Sequence, residues 1–390
     1  MQRKFRKIGV KFMKTFEEIN EKIQKGNAVV ATAEEILGMA GEMGMRETAE
    51  YVDVVTTATF GPMCSTGAFL NFGHSEPPIR MEKISLNNVN ICAGLAAVDG
   101  YIGATEVSTD LGAEYGGAHV ICDLIDGKRV RLHAFGKGTD CYPRKEIDTY
   151  ITLDKINEAY MFNPRNCYQN YAAATNTSEK ALYTYMGVLQ PHMGNINYST
   201  TGELSPLIND PYLRTIGLGT KIFIGGTVGY VSWQGTQFVT EKPRGDNGVP
   251  LSGAATLALI GDLKKMSTEF IQPGVFEGYG TSIYVGVGIP IPVLDEEMLE
   301  HLLVRNKDIY QYITDYSKKG KPVIAKCSFE ELQSGEVNIE GKDIKTAPLS
   351  SLYKARIIAR VLKSWIEKGE FTLQEPIKQF PRVSALKGLN

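Results

Sequence analysis

Two cysteines stand in settings that could make a thiol reactive. Cys141 is followed by Pro143, Arg144 and Lys145. Nearby cations and a helix N-terminus both lower the pKa of a thiol, which reacts as a nucleophile only as the thiolate. Proline suits the first position of a helix, so Pro143 predicts a helix that begins just after Cys141. Asp140 opposes this effect, and a buried, inert cysteine in a turn explains the same residues equally well.

The second cysteine, Cys64, lies in a loop that follows a predicted strand. Residues 53–59 are rich in β-branched side chains, which favour strands. The loop 61–67 therefore sits at the C-terminal end of a strand, where α/β proteins commonly place functional groups. This position indicates a functional loop without identifying its chemistry.

The composition excludes several classes of protein. The 390 residues carry 42 basic and 44 acidic side chains, a formal net charge of -2. This near-neutral balance argues against a nucleic-acid or membrane-surface protein, and no apolar run approaches the roughly 20 residues that span a bilayer. The six cysteines and five histidines form no C-x-x-C or H-x-x-x-H pair, so no metal or cluster site of the chain's own is expected. We predict a cytoplasmic protein.

The spacing of apolar and glycine residues predicts a mixed α/β fold. Helices and strands alternate in the first third, and a glycine-rich middle third predicts an added mixed or antiparallel sheet. We divide the chain into a basic, disordered extension (1–13), a catalytic core (14–320) and a C-terminal lobe of strand and helix that closes the core (321–390). Residues 318–321 are predicted to be the hinge or linker before that lobe.

Several local signals predict particular helices and turns. Thr15 and Glu18 resemble a capping box for a first helix, and Thr32 is expected to cap a second. Further helices are predicted over 116–126, with a hairpin as the alternative, over 152–162 and over 351–368. Gly225 and Gly226 lack the spacing of a dinucleotide-binding loop, so we expect them to let strands cross closely.

The order of several distinct segments resembles that of the homocysteine biosynthesis family, the L-aspartate semialdehyde sulfurtransferases. The resemblance covers nearly the whole chain from Lys14 onward. The segments that carry it are residues 15–20, 60–65, 95–99, 138–147, 163–166, 202–211, 261–264 and 286–292. It implies an enzyme that transfers sulfide sulfur to L-aspartate semialdehyde. It also implies that Cys141 is the persulfide-bearing nucleophile and that Cys64 is a second functional thiol.

The resemblance further implies an external source of electrons. Family members usually work with a small ferredoxin-like iron–sulfur protein, and many carry C-terminal CBS domains, of which this sequence shows none. Because the chain has no cluster motif, reducing equivalents would come from the separate protein. A homodimer is the default expectation for an enzyme of this size.

A substrate with a carboxylate and an ammonium group needs oppositely charged partners. Arg144 and Arg165 are candidates for the carboxylate, with Lys145 beside Cys141. Glu203 is a candidate for the amine, and His133 for the general acid. Each has a structural alternative, an ion pair for the arginines and an ordinary hydrogen bond for the histidine. Asp210 and His119 are weaker candidates for the same two roles.

We expect Cys141 to attack as a thiolate or persulfide and Cys64 to resolve the product by thiol exchange. A persulfide carrier, or a sulfurtransferase for another aldehyde or activated acid, is the first alternative. A non-enzymatic protein that binds sulfide or senses redox state is the second.

Overall fold

The computed structural model describes residues 13–388, so most of the predicted basic extension lies outside the described residues. Eight α-helices occur in this range. They are α1 (Phe16–Gln24), α2 (Glu35–Met43), α3 (Met45–Tyr51), α4 (Gly117–Ile125), α5 (Pro206–Asn209), α6 (Glu296–Leu302), α7 (Phe329–Gln333) and α8 (Leu352–Glu367).

Twenty-four strands accompany them. The first twelve are β1 (Val30–Thr32), β2 (Val54–Pro62), β3 (Gly67–Asn71), β4 (Lys83–Leu86), β5 (Val89–Ile91), β6 (Asp99–Gly103), β7 (Val107–Ser108), β8 (Gly112–Gly116), β9 (Val130–Phe135), β10 (Glu146–Ile151), β11 (Glu158–Asn166) and β12 (Ala173–Thr175). The others are β13 (Leu182–Thr184), β14 (Gly187–Leu189), β15 (Asn195–Tyr198), β16 (Lys221–Ile224), β17 (Thr227–Gln234), β18 (Leu257–Asp262), β19 (Ile271–Phe276), β20 (Gly280–Pro292), β21 (Tyr310–Asp315), β22 (Val323–Ser328), β23 (Glu336–Ile339) and β24 (Lys342–Pro348).

Three larger sheets and one two-stranded sheet, formed by β13 and β14, organise these strands. The large sheet has ten strands in the order β1-β2-β20-β16-β17-β18-β11-β3-β6, with β19 paired to β20. The second sheet has the order β10-β9-β4-β5-β7-β8, and the third has β22-β21-β12-β15-β24-β23. Parallel pairs occur only at β1–β2, β12–β21 and β15–β24 among the pairings of named strands in residues 13–388. The predicted mixed α/β fold, with a largely antiparallel middle, is therefore confirmed.

Both faces of the large sheet are buried. Successive side chains of a strand point to opposite sides of a sheet, so one strand contributes to two cores. In β16, Ile222 and Ile224 enter one core while Phe223 enters the other. The second sheet and α4 cover the first face. Helices α1, α6 and α8 cover the second.

Helix α8 packs tightly on β1, β2 and β20, at one side of the large sheet. Ser351 caps it by accepting from the Lys354 amide, and its buried residues recur at helical spacing. A Cβ on Gly288 of β20 would come within 3.1 Å of Ile358 and 3.2 Å of Leu362. The glycine therefore lets the helix lie close to the strand, as expected where an element approaches backbone closely.

The local signals for two other helices are also confirmed. Thr15 and Glu18 form the complete capping box of α1. The helix predicted over 116–126 is α4, which ends before Gly127 in the left-handed region (φ 74°), so the hairpin alternative is wrong. Helix α2 is present, but its N-cap is Glu34, and Thr32 lies two residues earlier, where it exchanges hydrogen bonds with Glu35. Gly225 and Gly226 form the turn between β16 and β17, not a dinucleotide loop.

Two predicted helices are strands or loops instead. Residues 158–162 begin β11, which pairs with β18 on one side and β3 on the other. Burial alternates along it, with Ala159 and Met161 buried and Glu158 and Tyr160 exposed, a period of two that excludes an amphipathic helix.

No helix follows Pro143. Arg144 forms an isolated β-bridge with Ile79 instead, and the chain enters β10 at Glu146. The fixed φ of proline is compatible with this extended path as well.

The predicted hinge at 318–321 forms the turn between β21 and β22, which pair with each other. The third sheet combines strands from both sides of position 320. The division of the chain into a core and a closing lobe remains a prediction. No helix within residues 13–388 is long and apolar enough to cross a membrane.

Candidate active site

Cys64 lies in the turn between β2 and β3, on the wall of a cleft of about 560 Å³ that is partly open to solvent. Strand β2 pairs with β20 along its full length, up to Pro62 opposite Tyr284. The Met63 amide then donates to Ile283 over 2.8 Å, and the Thr66 amide donates to Met63 over 3.0 Å. The half-buried thiol of Cys64 is therefore held on a short turn anchored to β2 and β20 of the large sheet. The predicted position of this loop at a strand end is confirmed.

Arg165 lies on the wall of the same cleft. It sits within β11 where the pairing with β18 shifts register between Asn163 and Asn166. Such a bulge changes the direction in which a side chain points. Within residues 13–388, no carboxylate is within ion-pairing distance of the half-buried Arg165 guanidinium. The ion pair that was the structural alternative for this residue is absent from that range.

The buried amide of Asn163 joins the two walls. Its Nδ2 donates to the Thr66 hydroxyl over 2.8 Å, and its Oδ1 accepts from the Arg165 amide over 3.0 Å. Ser65 adds a weaker contact to the Arg165 carbonyl at 3.4 Å. The thiol and the guanidinium therefore belong to one hydrogen-bonded unit.

Phenol groups form much of the remaining wall, from Tyr168, Tyr171, Tyr185 and Tyr279. Burial raises the pKa of Tyr168 to about 12, with the Arg165 charge opposing that shift. Burial also raises the pKa of Tyr279, and the charge of Cys64 and a hydrogen bond with its side chain add to the effect. The thiol therefore faces neutral phenols and one cation.

Cys141 does not line this cleft. It lies at the exposed tip of the loop between β9 and β10. Thr139 and Tyr142 exchange backbone hydrogen bonds of 2.9 and 3.0 Å across the tip. The ring of Tyr142 stacks on His74 with centroids 6.2 Å apart. Cys141 is therefore solvent-facing on the second sheet, and the alternative interpretation, a buried and inert cysteine in a turn, is wrong because the residue is exposed.

The cations beside Cys141 belong to the same loop. Arg144 is half-buried, with its Nε donating to the Glu146 carbonyl over 2.9 Å. The exposed Lys145 packs its aliphatic stem against Gly138. Neither residue lines the Cys64 cleft.

Three further candidates have local partners away from the cleft. His133 on β9 contacts Glu146 at 2.9 Å. Glu203 and Asn306 form two reciprocal hydrogen bonds, of 3.0 and 3.1 Å, and burial raises the pKa of the Glu203 carboxyl. Asp210 accepts from the amides of Arg214 and Thr215, the turn role that was its structural alternative.

His119, the remaining histidine candidate, and Lys264 have structural contacts. His119 accepts from the Gly116 amide at the start of α4, and burial lowers its pKa. Lys264 donates to two backbone carbonyls, of Ile156 and Asn157. Within the described part of the chain, no group of three or more His, Cys, Asp or Glu side chains could hold a metal ion.

The tyrosines were missed by sequence reasoning. Tyr168 and Tyr171 follow Arg165 at intervals of three, which is the one signal that could have pointed to them. Tyr185, Tyr279 and Tyr316 come from three separate turns, so no sequence spacing links them.

A thiol and a guanidinium share one cleft, and within residues 13–388 the guanidinium has no carboxylate partner, an arrangement that suits a thiol-dependent enzyme. The chain belongs to the family described as homocysteine biosynthesis enzyme, sulfur-incorporation, which matches residues 28–373. The resemblance inferred from the sequence is thereby confirmed, and the protein is a sulfurtransferase by class.

Two relatives carry the same name. An L-aspartate semialdehyde sulfurtransferase of Methanosarcina acetivorans is 49% identical over 378 residues, covering 96% of this chain and 74% of the relative. One of Methanocaldococcus jannaschii is 51% identical over 387 residues, covering 95% and 74%. An uncharacterized protein of Methanothermobacter thermautotrophicus is 31% identical over 330 residues, covering 82% of this chain and 72% of the relative. No solved structure matches the chain.

Proposed function

We propose that this enzyme forms L-homocysteine from L-aspartate semialdehyde and sulfide. The substrate is taken from the name of the two relatives that are about half identical over almost the whole chain. The observation that carries the proposal is the shared cleft of Cys64 and Arg165, since the substrate has a reactive aldehyde at one end and a carboxylate at the other.

Arg165 is the proposed partner of the substrate carboxylate. A guanidinium binds a carboxylate through two parallel hydrogen bonds, and the Arg165 guanidinium has no carboxylate partner in the described chain. With the carboxylate at Arg165, the aldehyde carbon points along the cleft toward Cys64. Arg144, Lys145, Glu203 and His133 lie outside the cleft, and we assign them no contact with the bound substrate.

The substrate amine is assigned to serine oxygens of the cleft. Ser282 lines the cleft, and its buried hydroxyl has no hydrogen-bond partner among the described residues. A hydroxyl oxygen accepts from an ammonium group, and an unsatisfied buried hydroxyl is costly unless a ligand supplies that partner. Ser199 lines the same cleft and can add a second acceptor.

The reaction needs two electrons from outside the chain. Sulfide adds to the aldehyde carbon, the carbonyl oxygen leaves as water, and the resulting thioaldehyde accepts two electrons and two protons to become the thiol. We propose a small ferredoxin-like iron–sulfur protein as the electron donor, a homodimer as the working form, and the cytoplasm as the compartment, where thiols remain reduced.

The two thiols take different parts in the proposal. Cys141 is the sulfur-carrying nucleophile: its thiolate accepts the terminal sulfur of a polysulfide or persulfide, and the shortened donor leaves with the electron pair of the broken S–S bond. Its exposure to solvent, which gives such a donor access, supports this role. Cys64 is the second thiol, which meets the substrate in the cleft. Exchange between them requires the hairpin tip that carries Cys141 to reach the cleft.

The test is homocysteine formation from aspartate semialdehyde and sulfide with dithionite as reductant. We expect Cys64→Ser and Cys141→Ser each to lower the rate by about 10³-fold or more, as loss of a nucleophile does. Cys92→Ser is the matched control, because Cys92 is also exposed but does not line the cleft. A wild-type protein that forms no homocysteine, or a Cys64→Ser variant at the wild-type rate, would refute the proposal.

A further inference from the structure

Three tyrosines form a hydrogen-bonded row that ends in the Cys64 cleft. The Tyr171 hydroxyl donates to Tyr185 over 3.2 Å, and the hydroxyls of Tyr185 and Tyr316 lie 3.0 Å apart. Lys321 donates from its Nζ to the Tyr185 hydroxyl over 3.1 Å. Tyr185 is thus the centre of the row, and both Tyr171 and Tyr185 line the cleft.

The oxygen of Tyr185 is surrounded by more donors than a neutral phenol needs. A phenol has one proton to donate and accepts through two lone pairs. Tyr171 and Lys321 occupy both acceptor positions, and Tyr316 can donate a third bond once Tyr185 has lost its proton. This arrangement stabilises negative charge on the Tyr185 oxygen.

The direction of the pKa shifts agrees with this geometry. Burial acts to raise the pKa of Tyr185, but hydrogen bonds from Tyr171, Tyr316 and Lys321 outweigh it and the pKa is lowered. Burial raises the pKa of Tyr171 and of Tyr316, and their contacts with Tyr185 add to the shift. Of the three phenols, Tyr185 therefore gives up its proton first.

Two hairpin turns hold this group in place. Tyr185 is in the turn between β13 and β14, while Tyr316 and Lys321 are in the turn between β21 and β22. The Lys321 ammonium also lies over the Tyr316 ring, 3.7 Å from its centroid, which fixes the cation beside the row.

We propose that Tyr185 is the general acid of the reaction and that Lys321 is its positioning residue. The inference rests on the proposed function. As the sulfur nucleophile forms its bond to the aldehyde carbon, the π electron pair moves to the carbonyl oxygen, and that oxygen takes the proton of Tyr185. The phenolate left behind accepts from Tyr171, Tyr316 and Lys321, and it recovers a proton from solvent. The step involves no net oxidation or reduction.

The experiment measures homocysteine formation across pH for Tyr185→Phe, Lys321→Met and Lys321→Arg. We expect Tyr185→Phe to lower kcat by about 100-fold or more with little change in KM, the range for loss of a general acid. Tyr183→Phe is the matched control, because Tyr183 lies in the same hairpin but is exposed and outside the cleft.

Lys321→Met separates this role from a structural one. Without the cation the pKa of Tyr185 rises, so the alkaline fall in kcat moves to higher pH while the maximum rate decreases. Lys321→Arg should restore the wild-type profile in part. An ultraviolet titration should show that the first tyrosinate to form in the wild type is missing from Tyr185→Phe.

The outcomes distinguish the two proposals. If the wild type is active and Tyr185→Phe is equally active, the role of Tyr185 is refuted and the proposed function still stands. Wild type inactive on aspartate semialdehyde refutes the proposed function and, with it, this step. If Tyr185→Phe fails to fold, an unchanged alkaline limb in Lys321→Met refutes the inference.

Discussion

The Ser65 hydroxyl lies 3.4 Å from the Arg165 carbonyl, so the loop that carries Cys64 is tied to the strand that carries the guanidinium. Asn163 adds a shorter hydrogen bond between the same segments, to the Thr66 hydroxyl, and also accepts from the Arg165 amide within β11. A substrate bound by Arg165, as we propose, would therefore meet Cys64 at a fixed separation. Placing a reactant and a catalytic group in one rigid frame is a major source of rate enhancement.

The first prediction concerns the carboxylate of the substrate. Arg165→Met should raise KM for aspartate semialdehyde by about 10- to 100-fold, because a hydrogen bond to a charged group contributes roughly 1.5–3 kcal/mol. Arg165→Lys should lose less. Arg129→Met is the control, since Arg129 is exposed and lies over the Tyr150 ring outside the cleft. An unchanged KM in Arg165→Met, measured by steady-state kinetics, would contradict this assignment.

The second prediction concerns sulfur loading of Cys141. After treatment with polysulfide, intact-mass spectrometry should show a gain of about 32 Da that reductant removes, as expected for a persulfide. Burial raises the pKa of Cys122 to about 12 and raises that of Cys167 as well, so these two thiols should stay unmodified. The gain should disappear in Cys141→Ser. Loading that persists in Cys141→Ser and disappears in Cys64→Ser would reverse the proposed roles.

Only part of this site could be predicted from the sequence. Cys64 at a strand end could be predicted, because a β-branched run followed by a Gly-Pro turn is a local pattern. The tyrosine row could not, because its members are brought together by hairpins at 185 and 316–321 that join distant parts of the chain. Arg165 could be selected only through its motif, since the bulge that directs it depends on pairing with β18.

The same limit applies to the fold: elements with local sequence signals could be predicted, and elements determined by tertiary contacts could not. A capping box predicted α1 and an amphipathic pattern predicted α8, since both signals lie within or next to the helix itself. Thr152 offered a similar cap for a helix over 152–162, but tertiary contacts decided the structure of that segment. There the neighbours β3 and β18 complete the hydrogen bonds of β11 on both sides, and this pairing determined a strand.

The third prediction concerns stability at the start of the described chain. Asp53 is buried and pairs with Lys14 at 3.1 Å and Lys22 at 2.7 Å. Asp53→Asn should lower the free energy of unfolding by about 3–5 kcal/mol, because it breaks the ion pair between Asp53 and the buried Lys14. Asp148→Asn, which removes an exposed pair with Arg131, should have a much smaller effect. Similar losses in both variants, measured by urea denaturation, would contradict the assignment.

The fourth prediction concerns stability at acid pH. Burial acts to raise the pKa of Glu35, but hydrogen bonds from Lys363 and Thr32 outweigh it, so the pKa is lowered in the folded protein. A carboxyl of this kind stabilises the fold above its unfolded-state pKa, and this contribution is lost as pH falls through the folded-state value. The wild type should therefore lose stability more steeply in that range than Glu35→Gln.

The size of this effect is limited because Glu35 is partly exposed, so we expect less than about 1 kcal/mol. Urea denaturation between pH 7 and the acid range measures it. Glu47→Gln is the control, since Glu47 is exposed on the neighbouring helix α3. If Glu47→Gln reduces the loss of unfolding free energy at acid pH as much as Glu35→Gln does, the contact between Glu35 and Lys363 is not the cause of that loss.

The turn at 318–321 has a practical consequence for protein engineering. Exposed turns rich in lysine and glycine are the usual sites for inserting tags or reporter domains. Here Lys321 contacts Tyr185 and the ring of Tyr316, both beside the Cys64 cleft. An insertion at this turn should leave an expressible protein with impaired turnover, whereas the turn at Gly341 between β23 and β24 offers a safer position.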